Sequence, residues 1–211
     1  VCLEPLEPLT PKEIKEKMAQ GIKDFSCRRV FGWIRNQSIV GANFSNSDFE
    51  LVRLTNVNLT DSNLRGVRLD GAKFDDVILK GVDLTGATGL HNSHLEAAHK
   101  DMSGITLNGH TFNKIKLDEV NFSDAQLVGT TFFGSNLNNA NFTQAILYGA
   151  NFKDAKLRDT NFTGAAIGCY LQIIENSTKA FKYAHNCDHG QVIQEAVPFK
   201  QANFGWEIGR A

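Results

Sequence analysis

A chain of 211 residues with 42% hydrophobic content is long enough to bury a core, and 22 Lys+Arg against 23 Asp+Glu leave a net charge of −1, which argues against a nucleic-acid partner. No run reaches the roughly eighteen apolar residues of a membrane helix and no secretory signal is visible, so no membrane partner is expected. The sequence opens on Val1 rather than Met, as a processed, trimmed or excised chain would.

Val1 to Leu9 is an extended lead-in carrying Pro5 and Pro8. Thr10-Pro11-Lys12-Glu13 then reads as a capping box with proline at the first helical position. Ile14, Met18 and Ile22 recur at helical spacing, which predicts an amphipathic helix of about eleven residues, too short to be stable alone. Its apolar face is expected to cover the open edge of the element that follows, with docking of a partner as the alternative. From Phe25 to Trp33 basic and aromatic residues interleave. Arg28 and Arg29 beside Phe31 and Trp33 form either a patch for a phosphate or an acidic partner, or the half-buried start of the next element with solvated arginines.

From about Gln37 to Gly86 a large apolar residue returns every fifth position, at Ile39, Phe44, Phe49, Leu54, Leu59, Leu64, Leu69, Phe74, Leu79 and Leu84. Small or β-branched residues such as Ala42, Val52 and Ala72 sit two before these centres, and Gly, Asn or Asp often sits two after. A period of five is neither the 3.6 of a helix nor the 2.0 of a strand. It buries its centres if a short extended piece is followed by a tight turn of about a quarter circle, so that four units return the chain roughly 4.8 Å higher along an axis. Such a solenoid stacks on itself and buries a core that no single unit supplies.

Between Thr85 and Gly104 the period fails: Leu84 and Leu107 are 23 apart, three out of register, so a loop is expected to protrude at about 85–104. It carries His91, His94, Glu96 and His99, an interaction loop in the one place where uniform faces give way. Their spacing fits no metal signature, His94 and His99 being five apart, and no metal site is assigned. From Ile105 to Ile167 the period resumes without a miss at Leu107, Phe112, Leu117, Phe122, Leu127, Phe132, Leu137, Phe142, Leu147, Phe152, Leu157 and Phe162. Stacking every twentieth residue predicts one column of Phe112, Phe132 and Phe152 and an opposite one of Phe122, Phe142 and Phe162. Leu107, Leu127 and Leu147, and Leu117, Leu137 and Leu157, would line the other two sides. After Ile167 the period is lost; a helical stretch opens at Asn176-Ser177 and a second short helix is expected over Gln191–Val197. The chain thus divides into a lead-in and capping helix (1–31), a repeat block (32–174), and a helical cap or start of a continuation (175–211).

Ala42-Asn43-Phe44, Ala140-Asn141-Phe142, Ala150-Asn151-Phe152 and Thr160-Asn161-Phe162 match the motif A(D/N)LXX, and with more than twenty units the chain resembles the pentapeptide-repeat family. The resemblance implies an all-β solenoid, a right-handed quadrilateral β-helix, here with short α-helical caps at both ends.

A filled solenoid has no pocket for a nucleophile or an acid–base pair, and no phosphate-loop or dinucleotide fingerprint appears, so the chain reads as non-enzymatic and without a cofactor. The leading expectation is a protein-interaction scaffold presenting β-helix faces and the protruding loop to a protein partner. By resemblance, this fits the substrate-recognition region of a bacterial effector such as a HECT-like ubiquitin ligase, cytoplasmic or secreted into a host cell. One alternative is a DNA-mimicking, gyrase-protecting protein that dimerises through an end cap; residues 37–167 hold fourteen acidic and eleven basic residues, a weak surplus for that role. Another is a lumenal or periplasmic protein whose caps are pinned by disulfides among Cys2, Cys27, Cys169 and Cys187; the plainer expectation is four separate thiols.

Overall fold

The computed structural model describes Cys2 and residues 5–166. The expected C-terminal helices, Cys169 and Cys187 lie outside those residues. The five-residue period becomes a coil because each unit points one large side chain inward and then turns. In most units the carbonyl of the centre accepts the N–H three residues on, as from Ser47 to Phe44 and from Ala145 to Phe142, both at 3.0 Å. The residue two after the centre takes positive φ, 56° at Asn46 and 59° at Gln144. This is a β-turn with a left-handed third residue, which Asn, Asp and Gly adopt at least cost.

The described residues form two compact units that divide between Thr106 and Leu107. The division falls inside the span 32–174 that the sequence reads as one block, at its register break. In the first unit, β1 (Glu7–Leu9) pairs in parallel with β2 (Arg28–Val30), and β3 (Trp33–Ser38), β4 (Arg53–Asn58) and β5 (Lys73–Asp75) form a parallel sheet in that order. Helix α1 (Pro11–Ala19) has the expected capping box: the Glu13 N–H donates to Thr10 Oγ1 at 3.2 Å and the Thr10 N–H to Glu13 Oε2 at 2.8 Å. The Thr10 N–H, and then its hydroxyl, hold the Glu13 carboxyl below its ordinary pKa. The helix has nine residues and ends before Gly21 reverses the chain at φ 79°, so of the expected apolar face Ile14 is buried, while Ile22 lies beyond the helix and is exposed. A disulfide joins Cys2 to Cys27, with Cα atoms 5.4 Å apart, which corrects the expectation of separate thiols for this pair.

The second unit is the more regular. Every isolated bridge in it joins residues twenty apart, in four columns: Thr111–Thr131–Asn151, Lys116–Asn136–Lys156, Asn121–Asn141–Asn161 and Gln126–Ile146–Ala166. Each bridged residue immediately precedes a centre, so four units make one lap. Inside, rings twenty apart stack, Phe142 on Phe162 at 5.0 Å and 6°, and Phe132 on Phe152 at 5.3 Å and 21°. Rings ten apart meet edge to face, Phe142 with Phe152 at 5.5 Å and 89°. Each buried phenyl contributes about 1.5–3 kcal/mol by leaving water, and each well-placed ring pair about 0.5–1.5 kcal/mol more. Where the small inward slot holds a hydroxyl it is satisfied by the coil below: Thr130 Oγ1 donates to Leu107 O at 2.7 Å, and Thr160 Oγ1 to Leu137 O at 2.9 Å.

The register break is absorbed in two steps. Partners are twenty apart at Arg68↔Thr88, twenty-one at Val77↔Ala98 and twenty-three at Asp83↔Thr106, so one residue is added between 88 and 98 and two more before 106. The first step contains the one-turn helix α2 (Asn92–Glu96), which packs against β5.

Candidate interaction face

The four residues expected on a protruding loop do not share one fate. His94 is 2% exposed and sits in the core: its ring lies 4.8 Å from Phe74, edge to face, and Nε2 is 3.0 Å from Ala72 O. The His91 N–H donates to His94 Nδ1 at 2.9 Å, so Nδ1 must offer a lone pair and the proton sits on Nε2. Burial is the chief cause that holds this imidazole below its ordinary pKa, outweighing the hydrogen bonds to His91 and Ala72. The expectation of an outward interaction loop is therefore corrected at His94, because the apolar slot under Phe74 takes the ring inward. His91, Glu96 and His99 remain on the outside. Among the described residues no group of three or more His, Cys, Asp or Glu side chains converges as a metal site would.

The basic-aromatic cluster is also redistributed. Arg28 holds the lead-in: Nε donates to Glu7 O at 3.3 Å, Nη2 to Pro8 O at 3.2 Å, and Nη1 lies 3.6 Å from Glu7 Oε2. Arg29 faces the buried carboxylate of Asp48 at 3.6 Å, which Arg68 approaches from the other side at 3.6 Å. Both arginines serve the fold. Trp33 stands apart from them, on the outer side of the β3–β4–β5 sheet.

That outer side is built by register. Trp33, Arg53 and Lys73 stand in one row, and Arg35, Thr55 and Asp75 in the next. The indole N–H of Trp33 donates to Thr55 Oγ1 at 3.0 Å, which lays the ring along the sheet, and the Arg35 guanidinium stacks over it at 4.2 Å from the centroid. Arg35, Arg53 and Lys73 form no ion pair among the described residues. Acidic groups enter this sheet only in its third strand and just past it, at Asp75 and Asp76.

Beside the row runs an apolar corner. Phe31 is 44% exposed, Trp33 47% and Leu51 71%. Leu51 occupies the turn position two after Phe49, with φ 63°. Its side chain leans over the bare Gly71 of the next coil, where an added Cβ would come within 2.7 Å of Leu51 Cδ2. Asn46 leans in the same way over Gly66, Asp61 over Gly81 and Gln144 over Gly164, all polar side chains, and Leu51 is the aliphatic exception among the described positive-φ residues. A non-glycine residue there carries roughly 1–2 kcal/mol of backbone strain, which Asn and Asp offset locally and Leu does not. Sequence reading passes over Arg35, Arg53, Lys73 and Leu51. The signal was present: Trp33, Arg53 and Lys73 each precede a centre (Ile34, Leu54, Phe74) at steps of twenty, and Leu51 stands where most other units place Asn, Asp or Gly.

Parallel rungs twenty residues apart, a left-handed turn after each centre and a core of stacked rings define a β-helical solenoid of five-residue units. The chain matches the family model described as pentapeptide repeats in eight copies, over residues 53–88 and 125–164. Among solved structures it is similar to QnrB1, described as a plasmid-mediated fluoroquinolone resistance protein, at 18% identity over 71% of this chain and 76% of that one, with a TM-score of 0.47. HetL, a pentapeptide repeat protein involved in heterocyst differentiation regulation from the cyanobacterium Nostoc, is 21% identical over 75% of this chain and 92% of its own, with a TM-score of 0.38. A pentapeptide repeat protein of the Arabidopsis thaliana thylakoid lumen is 22% identical over 65% and 66%, with a TM-score of 0.19. Comparison with curated protein sequences finds no match. At these identities no partner passes from those proteins to this chain.

Proposed function

We propose that this chain is a non-catalytic protein-interaction scaffold that works through its outer faces. The observation that carries this reading is the occupied interior. In both units the inward positions hold mainly buried Phe, Leu, Ile, Val and Ala or hydroxyls bonded to the chain's own carbonyls, and the one buried imidazole, His94, has both ring nitrogens engaged by backbone, so among the described residues groups with spare chemistry stand outside. The finer role of substrate-recognition region in a bacterial effector such as a HECT-like ubiquitin ligase is compatible with such faces and draws its support from the family resemblance. Photo-crosslinking residues placed one per face, at positions that point outward such as Thr55 and Val128, test the scaffold in cells of the source organism. Covalent protein adducts from at least one face are expected; their absence from every face would overturn it.

The Cys2–Cys27 bridge favours a second reading, residence in an oxidising compartment such as a periplasm or lumen, because cytosolic reductants keep such pairs open. Trapping thiols with maleimide in intact cells decides this: protection of Cys2 supports it, and labelling of Cys2 in the native protein excludes it.

A further inference from the structure

We infer that the corner formed by Phe31, Trp33 and Leu51, with Arg35, Arg53 and Lys73 beside it, is the docking surface for an acidic segment of a partner protein, one that sets an apolar side chain among carboxylates. The inference rests on the scaffold reading and assigns it a face and a ligand chemistry.

Two independent observations support it. The first is charge. Three cations in two adjacent rows of one parallel sheet form no ion pairs among the described residues, while Arg28, Arg29, Arg65 and Arg68 of the same unit are all matched with carboxylates. Cations left unmatched on a folded surface complement an anionic partner. The second is strain. Leu51 keeps a side chain that its left-handed backbone disfavours, 71% exposed, and among the described residues it is the aliphatic one at a turn position that elsewhere holds mostly Gly, Asn, Asp or a longer polar side chain. Asn46 covers Gly66 as Leu51 covers Gly71, so covering the glycine does not require an aliphatic side chain, and an outward-pointing leucine fits a contact made outside the chain.

A protein segment fits better than the other anionic partners. Glu50 precedes Leu51 in the chain, Asp70 lies beside it in the next coil where its carbonyl accepts the Leu51 N–H at 2.9 Å, and Asp75 and Asp76 close the far end of the sheet, so a continuous phosphate backbone or a lipid surface would meet carboxylates at both ends of the patch. A short acidic segment spans only the basic part.

The test is fluorescence anisotropy with the full chain and four probes: labelled peptides in which Asp and Glu flank one Leu or Phe, the same peptides with Lys for the acids, single-stranded poly-uridylate RNA, and phosphatidylcholine vesicles containing phosphatidylserine. The acidic peptides should bind, and weaken as salt rises through about 0.1–0.5 M. The Lys peptides should not bind. Leu51→Asn and Arg53→Glu should each weaken the acidic peptides at least five-fold. Loss of fold cannot explain the first of these, because Leu51→Asn relieves strain and should raise Tm by about 2–4 °C. Unchanged affinity in both variants, or tighter binding of the RNA or the vesicles than of any acidic peptide, overturns the assignment. Cellular crosslinks from other faces but none from residue 51 would overturn it while leaving the scaffold reading intact.

Discussion

At the level of single residues, the solenoid is sensitive wherever a side chain or a missing one is read by the coil next to it. His94 is the clearest polar case, since burial disfavours its charged form. An unfolded histidine takes up its proton near pH 6.5, whereas the folded imidazole does so only at lower pH. Below about 6.5 the unfolded chain therefore binds the extra proton, and stability falls with pH until the folded group titrates too. Urea midpoints should hold from pH 8 to 7 and decline from 6.5 to 5, and His94→Gln should flatten that decline; an equal decline in the variant would remove His94 as its cause. Gly89 is the sharpest backbone case. It has φ 70°, and an added Cβ would lie 2.6 Å from Asp70 N and 2.8 Å from Leu69 C, atoms of the ladder that cannot swing aside. Gly86 has the same φ with nothing within 4 Å. Gly89→Ala should thus cost about 1–3 kcal/mol more than Gly86→Ala in denaturant titrations, the overpacking term alone. Equal losses would mean the rungs there are looser than they stand.

Among the elements, the N-terminal segment is held by several weak devices and one strong one. The three-residue pairing of β1 with β2, the capping box of α1 and the Arg28 contacts are each small, and the Cys2–Cys27 bridge closes a separation of 25 residues across them. Closing a loop of that size stabilises by about 3 kcal/mol in the chain-entropy account. Cys2→Ser should lower Tm, and dithiothreitol should lower the parent to a similar value by this route; a variant with the parent's Tm would show the bridge is not formed in the native protein. How much of these elements is legible in the sequence follows from how local each decision is. The capping box is written in four adjacent residues, and the five-residue period in side chains whose direction depends only on counting from the nearest turn. The helix end at Ala19 is less so, since apolar spacing alone carries the pattern on to Ile22 past a chain reversal at Gly21. The outer row of Trp33, Arg53 and Lys73 needs the lap length, and below it the steps are nineteen, at Asp24↔Asn43 and Arg29↔Asp48. His94 turns inward because a helical turn replaces a repeat unit, a substitution no period reveals.

For the molecule as a whole, repeat chains have near-additive stability, because each lap meets only its neighbours. In the second unit this makes lap length a stronger constraint than unit identity. Asn121 shows why: its Oδ1 accepts the Ser123 N–H at 3.1 Å and also the Asn141 amide at 3.0 Å, so one side chain shapes its own turn and ties to the next lap, provided another Asn arrives twenty residues later. Removing residues 127–146 deletes one lap and brings Asn161 to Asn121, Phe152 to Phe112 and Phe162 to Phe122, like on like. Removing 127–141 deletes three units instead, keeps every turn, and sets Leu157 against Phe122, Phe152 against Leu117 and Lys156 against Asn121. The shorter deletion should be the more damaging. It forfeits two stacked ring pairs, about 1–3 kcal/mol together, along with the asparagine ladder. The full-lap deletion should unfold in one cooperative transition with β-type circular dichroism. If the three-unit deletion matches or exceeds it in Tm, the columns of like side chains are not what holds successive laps in step, and the turns alone would have to account for the fold.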